Sequence, residues 1–139
     1  DKESVGAIWG VGRVWWHRKN EKALIYARRA ASLATKKDPK MFPMFMNLAV
    51  VYEDLGNIKR AEYWYKKVIN KCPNFWAAIF GLANLYYLKA WPNKKERIRK
   101  LLPGLLKLYK KEFPKISCTK WGKQSKKRIE ELSLFASPK

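Results

Sequence analysis

The chain has 139 residues, 47% of them apolar, so it can bury a core and is not a disordered polyelectrolyte. Its 31 Lys and Arg stand against 11 Asp and Glu, a net charge of +20, which attracts nucleic acid, an anionic membrane surface or an acidic protein without choosing among them. No apolar run is long enough to cross a bilayer, the two cysteines make no disulfide framework, and Asp1-Lys2-Glu3 does not start a signal peptide. A soluble, intracellular protein is expected, and the missing initiator Met leaves open a targeting segment removed ahead of Asp1.

Taken in order, Ile8, Val11, Gly12 and Trp15 fall at i, i+3, i+4 and i+7 and predict a helix. Gly6, Gly10 and Gly12 surround Trp9 without the strand context of a phosphate loop, and read as close helix packing. After a turn near Lys19-Asn20, Ala23, Ala27 and Ala30 mark a second helix that reaches Lys37 before Asp38-Pro39. Phe45, Leu48, Ala49 and Tyr52 repeat the first stripe, and Gly56 suits a left-handed helix end. Ala61, Tyr65 and Val68 form the face of the next helix, which stops at Pro73. Ile79, Leu82, Ala83 and Tyr86 then repeat the stripe again, with Trp91-Pro92-Asn93 in place of a glycine turn. Ile98, Leu101, Leu102, Leu105 and Leu108 predict a long helix that Pro103 should kink or divide. Residues 116–122 read as a connector and 124–136 as a final helix carrying Ile129, Leu132 and Phe135, with 137–139 frayed.

The stripes recur at fixed offsets. Phe45, Leu48, Ala49 and Tyr52 lie 34 residues before Ile79, Leu82, Ala83 and Tyr86, Pro39 lies 34 before Pro73, and the first stripe precedes the second by 37. A period of this size marks stacked supersecondary units that share a core. The series Phe45, Leu48-Ala49, Tyr52, Gly56, Ala61, Tyr65, Val68 and Pro73 resembles the tetratricopeptide repeat, with Val68 where Ala is usual. The resemblance covers about residues 5–114. It implies an all-α, right-handed superhelical array of about three tetratricopeptide-like hairpins (5–39, 40–73 and 74–114). A connector and capping helix at 115–139 would complete a single domain. It also implies a concave groove lined by Trp9, Arg13, Trp16, Met46, Asn47, Val50, Glu53, Phe80, Asn84 and Tyr87, a set rich in aromatic and apolar recognition chemistry. The alternative is that the terminal helix folds back to fill this groove. A clamp for chaperone C-termini is disfavoured, because only Asn47 fits its Lys and Asn pattern.

Reactive chemistry is sparse. His17 is the single histidine and reads as an exposed helix end; Glu130-Glu131 are adjacent and diverge on a helix; Glu53-Asp54 read equally as ligand contacts or as helix solvation. Cys72 and Cys118 lack a second ligand at metal spacing. No enzyme, cofactor or metal is therefore expected. The basic residues gather on second helices and the C-terminal third, including Lys59, Lys66, Lys67, Arg97, Lys100, Lys107, Lys110 and Lys111. The expected function is a non-catalytic scaffold or adaptor that holds a partner peptide or helix, with the basic flank steering it to an acidic surface. The alternatives are a nucleic-acid-associated or ribonucleoprotein component bound through phosphates, and a membrane-peripheral assembly factor. The sequence specifies neither the partner's identity nor the oligomeric state.

Overall fold

The computed structural model describes residues 4–137; the Asp1 start and most of the expected frayed end lie outside them. The described residues are all-helical, with seven α-helices, one 3-10 helix and no strand. Their packing divides into two compact units, the first ending at Pro73 and the second starting at Asn74. That division falls at the expected end of the second hairpin.

In the first unit, α1 (Val5–His17) pairs with α2 (Lys22–Lys37), and α3 (Met46–Asp54) pairs with α4 (Ile58–Lys71). Ser4 caps α1, its hydroxyl accepting from the Ala7 amide. The α1/α2 crossing depends on small residues. Ala23, Ala27, Ala30, Ala31 and Ala34 are buried along α2, and Gly12 faces them from α1. A Cβ at Gly12 would lie 2.8 Å from Cβ of Tyr26. Gly10 has open space and Gly6 ordinary contacts, so the close-packing expectation holds for Gly12 alone. Val11, expected in the core, is 45% exposed, because α2 contacts the Ile8 and Gly12 side of the helix. Lys19 takes the left-handed turn between the two helices (φ 51°), and Asn20 accepts from the Lys22 amide at 2.9 Å.

The second hairpin begins one element earlier than its stripe suggests. Asp38 caps a 3-10 helix, Pro39–Phe45, that leads into α3, with Pro43 inside it. Gly56 is left-handed at φ 87°, as its position in the turn requires. Asn57 then caps α4. Ala49 and Ala61 have no exposed surface, while Tyr65 and Val68 complete the core. Tyr52, expected among them, is only half-buried. Trp64, which lies off the expected stripe, is buried and stacks on Phe45 with ring centres 5.2 Å apart.

In the second unit, α5 (Trp76–Leu88) packs against α6 (Lys94–Ile116) and also contacts α7 (Lys120–Phe135). Contact on two sides explains why apolar residues surround α5: Ala78 and Leu85 are buried along with the predicted Ile79, Leu82, Ala83 and Tyr86. Asn93 turns the chain into α6 at φ 54°. Pro103 does not divide α6, which continues through Pro103 and Pro114 to Ile116. Ile98 and Leu105, on either side of Pro103, are completely buried, so packing holds the helix across the missing amide donor.

The connector is shorter than expected, and α7 starts at Lys120 rather than Gln124. The cause is local. Thr119 Oγ1 accepts from the Gly122 amide at 2.9 Å and donates to the Ile116 carbonyl at 2.7 Å, which makes it an N-cap at the corner. A Cβ at Gly122 would overlap that same carbonyl, so only glycine lets α7 turn so tightly onto α6. At the far end of α7, Arg99 of α6 donates Nε to the Ala136 carbonyl at 2.7 Å and Nη2 to the Ser137 carbonyl at 3.1 Å. The helix is thus fixed at both ends, and Ile129 and Leu132 fill the space beneath it.

Candidate recognition surfaces

In the first unit, α1 and α3 carry seven of the expected groove residues. Trp9 and Trp16 lie two turns apart on α1, with ring centres 5.9 Å apart and planes tilted by 30°. Trp16 Nε1 donates to Asp54 Oδ2 at 2.6 Å, a bond that ties the end of α1 to the end of α3. Met46, Asn47, Val50 and Glu53 are half-buried on α3, as are both tryptophans on α1, and Arg13 is exposed. Glu53 accepts from the Tyr65 hydroxyl at 3.0 Å. Burial, and then the neighbouring Glu53 carboxylate, push the Tyr65 phenol well above its ordinary range, so it remains a neutral donor. Glu53 is therefore engaged with the core. Asp54, which the sequence left undecided, anchors an aromatic residue. The groove pattern contains no position for it, so no sequence signal pointed to this role.

The equivalent face of the second unit is covered by α7. Asn84 Oδ1 accepts from Arg128 Nη1 at 2.8 Å. Tyr87 meets Phe135 edge-on at 5.4 Å, its hydroxyl lies 3.5 Å from Glu131, and the Arg128 guanidinium sits 5.1 Å over its ring. Phe80 borders an open cleft of about 390 Å³ between α5 and α7, together with Trp121. The three groove residues expected here thus face a helix of their own chain.

The basic residues also divide. Lys59, Lys66 and Lys67 are exposed on α4. Lys66 pairs with Glu62 at 3.4 Å, and the Lys67 ammonium lies 5.1 Å over the Trp64 ring and 5.6 Å over the Tyr63 ring. On α6, Lys100, Lys107 and Lys111 are exposed at i, i+7 and i+11 along one face, with Lys110 at its edge. Arg97 departs from this set. It is half-buried, donates Nε to the Pro92 carbonyl at 3.0 Å, and lies over the rings of Tyr86 and Trp91, so it stabilises the α5–α6 turn. Arg99 and Arg128 likewise serve packing contacts that charge counting does not reveal.

His17 is exposed at the end of α1, stacked beside Trp16. Among the described residues, no group of His, Cys, Asp and Glu could hold a metal ion, and no helix is long and apolar enough to cross a membrane. No protein-family model matches the chain, and no curated protein matches it.

Proposed function

We propose that the chain is a non-catalytic scaffold of the tetratricopeptide type, its hairpins following one another in a right-handed array, and that it holds a partner segment on the α1/α3 face. The observation that carries this reading is the Trp9–Trp16 pair, half-exposed and held in place by the Trp16–Asp54 hydrogen bond. Fixed aromatic rings on α1, together with the half-buried Met46 and Val50 of α3, supply contact area at little entropic cost, as interface anchors do. The partner is a short apolar helix or extended peptide whose acidic residues are drawn by the lysines of α4 and by Arg13. Because α7 occupies the Asn84 and Tyr87 face, the proposed binding strip is confined to α1 and α3, shorter than the ten-residue groove.

A photo-crosslinking residue at Val50 tests this directly. A protein adduct that survives moderate salt and disappears in Trp16→Ala supports the reading. An adduct to nucleic acid or lipid alone, or one indifferent to Trp16, would overturn it.

A further inference from the structure

The cleft between α5 and α7 carries a second, separate chemistry. Trp121 lies at its edge, 48% exposed, with one side of its ring leaning on the buried Trp76 at 5.0 Å. Phe80 supplies a second ring. Lys127 and Arg128 line the same space. The Arg128 guanidinium is held by the Asn84 hydrogen bond and the Tyr87 ring, and its buried Nε has no hydrogen-bond partner, the nearest carboxylate oxygen, on Glu131, being 3.8 Å away. Lys120 and Lys127, seven apart, extend the positive edge along α7. Residues 74–139 hold 16 Lys and Arg against 4 Glu, a net of +12, so the cleft sits in a strongly positive field.

We propose that this cleft binds single-stranded nucleic acid: an unpaired base stacks on the open side of Trp121, and the flanking phosphates sit on Lys127, Arg128 and Lys120. A strand alternates planar rings with negative charges, which matches an exposed indole beside fixed cations. An acidic peptide satisfies the cations and leaves the indole without a planar partner. Duplex bases are already stacked and cannot reach Trp121. Recognition of this kind is weakly selective for sequence. Glu131 opposes it, since its carboxylate competes with phosphate for Arg128.

The test is fluorescence anisotropy of a short labelled oligouridylate with the full chain, across a salt series. Trp121→Ala should weaken binding about tenfold or more, the effect of one lost stack, and Trp121→Phe should restore most of it. Lys127→Gln should reduce the log–log salt slope by about 0.7. Glu131→Gln should tighten binding, a gain that damage to the fold would not produce. The proposal is overturned if the matching duplex binds as tightly as the single strand, or if Lys127→Gln and Glu131→Gln both leave affinity and slope unchanged. Displacement of the oligonucleotide by polyglutamate at equal charge concentration, with Trp121→Ala indistinguishable from the parent, also overturns it and assigns the cleft to acidic protein. Should Trp121→Ala fail to fold by circular dichroism, the two charge variants, at solvent-accessible side chains, decide the question.

Discussion

The α1/α3 face and the α5/α7 face start from the same repeat register and end differently. On the first, Trp9, Trp16, Met46 and Val50 remain half-exposed. On the second, Asn84 and Tyr87 are engaged by Arg128, Glu131 and Phe135 of the chain's own last helix. Equivalent positions on a repeated hairpin therefore need not share a role; the role depends on what the next stretch of chain does. Here the difference comes from one corner, where Thr119 and Gly122 turn α7 back sharply enough to lie against α5.

That comparison breaks most severely at the corner. Gly122→Val should drive a side chain into the Ile116 carbonyl and destabilise the second unit by about 3 kcal/mol, near the upper end of overpacking effects. Hydrogen exchange should speed up along α7 while α1–α4 keep their protection. An unchanged denaturation midpoint would mean that α7 does not need the tight turn.

A smaller effect tests the first unit alone. Ala49 is completely buried, and Ala49→Leu should cost about 2 kcal/mol in thermal or chemical unfolding. A neutral result would remove the basis for the α3/α4 crossing and for the face built on it.

The two faces separate most clearly in a matched pair of variants. Trp16→Ala should leave helicity unchanged and weaken capture of the partner segment by about 2 kcal/mol, as loss of an aromatic anchor does. Tyr87→Ala should instead lower the stability of the second unit, because its ring packs on Phe135 and beneath Arg128, and should leave that capture intact. Equal loss of binding in both, with both folded, would show that the two faces act as one groove.

The mildest test uses alkaline pH. Tyr65 is held neutral in the folded state above its ordinary range by burial and by Glu53. Its contribution is complete below the ordinary phenol pKa of about 10, and is lost as pH rises past that point and the unfolded chain ionises first. The stability of the parent should fall more between pH ~9 and ~11 than that of Tyr65→Phe. Parallel curves for the two would dissociate Tyr65 from the alkaline loss.

Much of the fold could be read from local rules. Three apolar stripes at helical spacing gave the first helix of each hairpin, and Gly56, Asp38 and the region around Lys19 marked turns where the backbone does turn. Small residues at Ala49, Ala61 and Ala83 pointed to close approach, and all three are completely buried. These features are legible because period, residue size and left-handed backbone tolerance are properties of short segments. Charge was legible only as a sum. Nothing in a run of basic residues distinguishes Lys107, which faces solvent, from Arg97, Arg99 and Arg128, which hold a turn, a helix end and an asparagine.

By itself, then, the sequence determined the helical character, the main turns and the small-residue crossings, since each follows from spacing within about forty residues. Tertiary structure alone decided which stripe positions stay open. Val11 is exposed because α2 meets α1 on another side, and Trp16 is fixed by an aspartate 38 residues away. Asn84 and Tyr87 are covered because α7, more than 30 residues further on, returns to them. Long-range contacts of this kind depend on how whole helices turn and dock, and that information is not carried by any one repeat.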